Sequence, residues 1–191
     1  MKTIICRDKG SFNYLPYIKN GMIIYPADTI YGLGAYIYNA FANKRIFEIK
    51  KRSIQNPFIV LCDMDFVLKN VFVDETALNL LNLGATVILK NKTTLPFYVS
   101  KNGKTAYRLA VNPFMVKIVK KIPLTSTSVN VSAKQSINST KKILQRYFGI
   151  VDIIIIGKTR NVASSIVDFE NKVILREGYN AEAIKKFLGV V

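Results

Sequence analysis

Three polar stretches carry the residues that could do chemistry, and none contains a histidine, because the 191-residue chain has none. The first is "YPADTIYGLG", residues 25–34, where Asp28 stands beside the hydroxyls of Thr29 and Tyr31 and before a close glycine pair, Gly32 and Gly34. It follows an apolar run and precedes a helical one. Glycines at such a mouth let backbone N–H groups approach an anion, and a following helix N-terminus adds positive potential; the same residues also make a plain tight turn. The second is "EIKKRSIQNPFIVL", residues 48–61. Here Lys50 and Arg52 close a helix, where the dipole favours cations. Alternatively they lean over the sheet edge beside Thr29 and hold phosphate or carboxylate, Lys as a point charge and Arg as a planar fork. Asn56 adds an amide before Pro57. The third is "PLTSTSVNVSAKQS", residues 123–136, where Ser126, Thr127, Ser128, Asn130, Ser132 and Ser136 crowd one strand end. They line a polar pocket or cap a loop with their own backbone bonds. Arg108 in "AYRLAV", and Ser164, Ser165 and Arg176 later, pose the same choice between a buried working head group and a solvated edge.

Several chemistries are excluded. With no histidine and two distant cysteines, Cys6 and Cys62, neither zinc binding nor histidine catalysis is indicated. Cys62 ends the run "PFIVLC" and reads as a small buried apolar residue. The third glycine of a dinucleotide fingerprint is missing, since Ile37 stands there, and no G-x-x-x-x-G-K-[ST] occurs.

The elements that must position these residues alternate. Strands are expected at "GMIIYP", "PFIVLC", "ATVILK", "TAYRLAV", "IPLTSTSVNVS", "VDIIIIG", "SSIVDF" and "KVILREG". Helices are expected at "NAFANKRIFEIKKR", with Phe41, Ile46 and Ile49 on one face, and at "DETALNLLNLG", "NPFMVKIVKK", "STKKILQRYFG" and "NAEAIKKFLG". Ser139 or Thr140 caps the fourth, and Asn180 and Gly189 bound the last. Phe41, Phe47 and Phe58 fall at core-like positions. The pattern predicts one α/β domain over 1–191, a twisted sheet with flanking helices, mixed rather than parallel because the last three strands follow closely.

Half of the residues are hydrophobic, enough for a sizeable core. Lys plus Arg is 28 and Asp plus Glu 12, a net charge of +16. Such a charge either marks an anionic partner, namely nucleic acid, nucleotide or acidic membrane surface, or is spread over all faces for solubility. The apolar part of "MKTIICR" is too short for a signal peptide. No apolar run approaches the ~20 residues that cross a bilayer. The lack of a disulfide framework favours a reducing cytosol.

Taken together, the stretches resemble the YrdC-like family of threonylcarbamoyl-AMP synthases. "YPADTIYGLG" looks like the family's P-T-[DE]-T-x-Y-G-L-G, and "IFEIKKRSIQNPFIVL" like its K-x-R-P-x-x-x-P-L-I-V-L. "TSTSVNVSA" resembles its S-x-x-N segment, and "SSIVD" and "ILREG" its S-T-[IV]-[IV]-[DN] and L-R-x-G. The likeness runs in order from Ile23 to the C-terminus. Departures are Ala27 for the first Thr, Ser53 for a Pro, "NLGAT" for W-P-G-P-x-T, Gly178 after Glu177 where Pro is usual, and Leu61 where longer relatives carry His. A single domain without the extra C-terminal domain of those relatives is expected.

The resemblance implies a YrdC-like fold with a concave basic groove. It implies ligation of L-threonine and bicarbonate at the expense of ATP, giving threonylcarbamoyl-adenylate and pyrophosphate, with Mg²⁺ on the triphosphate and no protein-bound metal. Partner transferases then modify the adenosine beside the anticodon of ANN-decoding tRNAs, and tRNA itself is a candidate partner. It places Lys50 and Arg52 in catalysis; Lys50, Arg52, Asn56, Ser128, Asn130, Ser136 and Arg176 around ATP; and Thr29, Arg108, Ser126 and Ser164 around threonine, with Arg108 on its carboxylate. A cytoplasmic enzyme without membrane contact is expected. Two rivals remain: a non-enzymatic RNA-binding domain of the same fold, resting on the charge, and a carbamoyl-adenylate synthase of the kind found in longer chains.

Overall fold

The computed structural model describes residues 2–8, 14–130 and 136–190. In chain order the elements are β1 (Ile4–Arg7), α1 (Leu15–Asn20), β2 (Met22–Pro26), β3 (Tyr31–Ala35), α2 (Ala40–Lys50), β4 (Ile59–Cys62), α3 (Met64–Asn70), α4 (Glu75–Asn82), β5 (Thr86–Lys90), β6 (Ser100–Lys101), β7 (Lys104–Leu109), α5 (Pro113–Val119), β8 (Leu124–Ser128), α6 (Thr140–Tyr147), β9 (Ile153–Ile156), β10 (Ile166–Asp168), β11 (Val173–Arg176) and α7 (Ala181–Leu188).

Local signals explain most of them. Asn39 Oδ1 accepts from Ala42 N at 2.9 Å and starts α2, and Asp74 Oδ1 accepts from Ala77 N at 2.8 Å and starts α4. Gly84, at φ +80°, ends α4 as expected of a glycine after a helix. Ser139 caps α6. Asn180 precedes α7 but takes a left-handed φ of 60° and makes no cap bond; its side chain donates to Leu83 O at 2.9 Å instead. Five elements escape the sequence pattern: β1, α1, β3, α3 and β6 are short or carry ambiguous composition. Phe41 corrects another expectation. It is 71% exposed, because the inward stripe of α2 runs through Ala42, Ile46, Phe47 and Lys50.

The sheet is mixed, in the order β1-β9-β2-β3-β8-β4-β7-β5-β10-β11, with β6 on the stretch of β7 that β4 leaves open. The last three strands do not lie together: β9 joins β1 and β2, whereas β10 and β11 form the opposite edge.

Strand alternation sends side chains to two faces. On one face Met22, Ile24, Val60, Val87, Tyr107 and Val167 pack with Ile46, Val67, Leu80, Ile143 and Ile184, so α2, α3, α4, α6 and α7 cover it. On the other face Ile23, Tyr25, Leu124, Ile153 and Ile155 pack with Ile18, Met115, Ile118 and Val119 of α1 and α5. That second cover extends no further than Leu61 of β4. Beyond Leu61, across β7, β5, β10 and β11, the face therefore lacks helices from this cluster, and the cavity described next borders that part. No helix among the described residues is long and apolar enough to cross a membrane.

Candidate active site

The cavity holds 470 Å³ and is floored by one side of the pleat: Ile59 and Leu61 of β4, Ile88 of β5, Ala106 and Arg108 of β7, Ser126 and Ser128 of β8, and Ile166 of β10. Each pair is two residues apart, as one face of a strand requires. Around this floor stand Thr29, Arg52, Asn56, Ser164 and Arg176. Eight of the eleven residues expected at the site thus line one hollow. Lys50, Asn130 and Ser136 are not among its lining residues, although Lys50 and Asn130 bond to Ser128, which is. Ser132 lies outside the described residues.

The opening stretch is built differently from its expected form. Gly32 and Gly34 are not a turn before a helix but the middle of β3, antiparallel to β2 and flanked by β8. Glycine is required there by close approach: a Cβ on Gly32 would lie 2.7 Å from the Tyr25 ring, and one on Gly34 would run into Thr125 O. The helix N-terminus expected to add positive potential is therefore not next to this stretch. The turn itself is Asp28, Thr29 and Ile30, closed by Ala27 N donating to Ile30 O at 3.3 Å.

Three guanidiniums serve the cavity, and each is held by carbonyls. Arg52 donates from Nε to Asn56 O at 2.8 Å and from Nη2 to Pro57 O at 3.0 Å, and lies 5.5 Å from the Phe58 ring centre. The loop after α2 is wrapped round this one side chain. Arg176 donates from Nε and Nη2 to Ser164 O at 3.0 and 2.8 Å, while Ser164 Oγ pairs with Thr86 Oγ1 at 2.8 Å. Gly178 lets the chain pass here, since a Cβ would lie 2.2 Å from Ala163 O. Arg108 is 4% exposed; Nη1 donates to Gly84 O, and Nη2 meets both oxygens of Asp28 at 2.9 and 2.8 Å. Among the described residues, none that lines the cavity is an acid.

Lys50 is 1% exposed at the end of α2. Its Nζ donates to Ser128 O at 2.5 Å, Asn130 O at 3.0 Å and Asn130 Oδ1 at 2.5 Å. It thereby pins the segment that carries Ser128. Burial, and then the nearby Arg52 charge, push its pKa down to about 8.

Sequence reasoning missed the apolar floor, Ile59, Ile88, Ala106 and Ile166, and the partnership of Asp28 with Arg108. A period-two reading of the strands holds the first signal, once it is known which face lacks a helix. No local signal holds the second, because 80 residues separate the pair.

Known proteins resemble this chain in sequence and fold. The model of the Sua5/YciO/YrdC family, described as "Telomere recombination", matches residues 17–178. A putative threonylcarbamoyl-AMP synthase of Methanocaldococcus jannaschii is 31% identical over 171 residues, covering 84% of this chain and 82% of that protein. The crystal structure of P. abyssi Sua5 complexed with L-threonine superposes at a TM-score of 0.85 with 26% identity, covering 100% of this chain. This chain spans only 62% of that one. E. coli YciO superposes at a TM-score of 0.79 over 93% of this chain and 96% of that one; at 24% identity this is a likeness of fold. With the family model matching most of its length, the chain belongs to the Sua5/YciO/YrdC family.

Proposed function

We propose that this protein is an L-threonylcarbamoyladenylate synthase, a nucleotidyltransferase that joins L-threonine, bicarbonate and ATP and releases pyrophosphate. The observation that carries the reading is the meeting of Thr29, Arg52, Asn56, Arg108, Ser126, Ser128, Ser164 and Arg176 around one cavity without a lining acid. The names of the relatives, and the threonine bound to P. abyssi Sua5, support the choice of amino acid. A cavity of 470 Å³ is of the size that takes small molecules and nucleotides.

The chemistry asks for charge stabilisation and alignment rather than a covalent intermediate. The threonine amine takes up bicarbonate carbon with loss of water. A carboxylate oxygen of the resulting carbamate then attacks the α-phosphorus. The new P–O bond forms as the bond to pyrophosphate breaks. Arg52 and Arg176 meet the charge that builds on the phosphates, with Asn56 and Ser128 orienting the nucleotide; fixed donors of this kind need no reorganisation at the moment of reaction. Arg108 takes the amino-acid carboxylate, and Thr29, Ser126 and Ser164 surround the rest. Lys50 acts through Ser128 and Asn130 by tying their segment down, and Ser136 is assigned to the ATP end by the family likeness. Burying the carbamate and adenylate shields them from water. The donors present are cations, hydroxyls and amides, which suit phosphates rather than a metal, so Mg²⁺ belongs with the triphosphate and supplies further charge neutralisation there. The product passes to transferases that modify tRNA in the cytoplasm, and the net charge of +16 suits transient contact with tRNA.

Pyrophosphate release from ATP and bicarbonate, with and without L-threonine, tests the reading. Release that depends on threonine is expected. Equal release without any amino acid removes threonine as the substrate.

A further inference from the structure

Asp28 is the acid that meets the cavity's buried guanidinium. It stands between two lining residues, Ala27 and Thr29, yet does not itself line the cavity, so its carboxylate reaches Arg108 from behind the wall. The two side chains are 11% and 5% exposed. The turn that presents Asp28 is anchored twice: Ala27 N closes it on Ile30 O, and Asp28 O accepts from Arg160 N at 3.1 Å. From the other side Gly84 O accepts from Nη1 of Arg108. The fork is therefore gripped at both ends, while its Nε is buried without a partner.

We propose that Asp28 is the positioning and charge-setting residue of the amino-acid end of the site. It fixes the orientation of the Arg108 fork and cancels its charge, so that this end accepts one carboxylate and turns away a phosphate. The proposal rests on the threonine-adenylating reading above. Two physical arguments carry it. A guanidinium held by Gly84 O alone keeps torsional freedom, and ligand binding must then fix it; a second grip from Asp28 removes that cost beforehand. The second argument is charge. Neither Arg52 nor Arg176 has a carboxylate partner among the described residues, whereas Arg108 does. A polyanion is drawn to the two uncompensated cations. At Arg108 it meets the field of Asp28, which a monoanion tolerates and a dianion does not. Asp28 acts through Arg108, so it is a positioning residue and not a catalytic one.

The test uses pyrophosphate release by the wild type and by Asp28→Asn, which keeps the shape and removes the charge. L-Threonine is the varied substrate, and its phosphonate analogue, a dianion in place of the carboxylate, is the inhibitor. In Asp28→Asn the KM for threonine should rise roughly tenfold or more, while kcat at saturating threonine stays within about threefold. The wild type should bind the phosphonate far more weakly than threonine, and Asp28→Asn should narrow that gap. An unchanged or lower KM in the variant overturns the proposal, the lower value meaning that Asp28 competes for the fork. If Asp28→Asn does not fold, the wild type decides alone: phosphonate binding as tight as threonine overturns the charge argument. A wild type with no threonine-dependent release removes the functional reading and this proposal together, whereas normal wild-type turnover with an indifferent variant removes this proposal only.

Discussion

At the scale of single residues, Lys50 and Arg52 do different work although two positions separate them. Arg52 is half-buried, lines the cavity and is held by backbone carbonyls that stay solvable without it. Arg52→Ala is therefore expected to abolish pyrophosphate release while leaving the unfolding free energy, from urea denaturation, within about 0.5 kcal/mol of wild type. Lys50 is enclosed, and its removal takes the Nζ donor away from Ser128 O, Asn130 O and Asn130 Oδ1, the last of which still accepts from Ser128 Oγ at 2.9 Å. Lys50→Ala should cost roughly 1–3 kcal/mol of stability as well as activity. Its titration gives a further check. The folded pKa of about 8 lies below the ordinary lysine value of 10.5, so between these pH values the unfolded chain keeps a proton that the folded chain has shed. Unfolding stability should rise with pH across that window, and the penalty should be fully present below it. Urea unfolding at pH 7.5 and pH 9 checks this, and Lys50→Met should lose the gain.

At the scale of elements, β3 is the strand that the site cannot do without. Its glycines let β2 and β8 close on it, with Tyr25 folded over one and Thr125 O against the other. Gly34→Ala puts a methyl group into a backbone carbonyl that cannot move without breaking the β3–β8 pairing. A loss of roughly 3 kcal/mol is expected, measured by thermal or urea unfolding; a neutral effect would mean that β3 is not held as described. The same strand marks the limit of what the chain discloses by itself. β2, β4, β5, α2 and α4 are legible because their signals are local: apolar runs stopped by Pro or Gly, and Asn or Asp caps. β3 is not, because "YGLGA" carries the composition of a turn and its reason for glycine comes from Tyr25 and Thr125 in other strands. Among site residues, the cations and hydroxyls could be found on motif positions. Ile59, Ile88, Ala106 and Ile166 could not, because which face of a strand lacks a helix is a property of the topology. Phe41 failed for a related reason, since the inward stripe of α2 is completed by Lys50, which lies four residues after Ile46 on the same face although its charge argues for water.

In the whole molecule, five helices among the described residues cover one face of the sheet and two cover part of the other. The cavity on the remaining part is lined by Arg52, Arg108 and Arg176. Ligands that fill it replace a missing layer, so ATP and threonine together should stabilise the fold. At a hundredfold excess over Kd the gain is about 2.7 kcal/mol, or a rise in Tm of roughly 5–10 °C for a chain of this size, read by thermal shift. Threonine without nucleotide should give less.

On the proposed function, one hollow brings a nucleotide against a carbamylated threonine and joins them. Labelling tests it most directly: the protein is incubated with ATP labelled at the α-phosphate, labelled bicarbonate and L-threonine, and the products are separated before the adenylate decays. A single species carrying both labels, formed only when threonine is present, is predicted. Labels that stay in separate species, or an adenylate that forms without threonine, would contradict it.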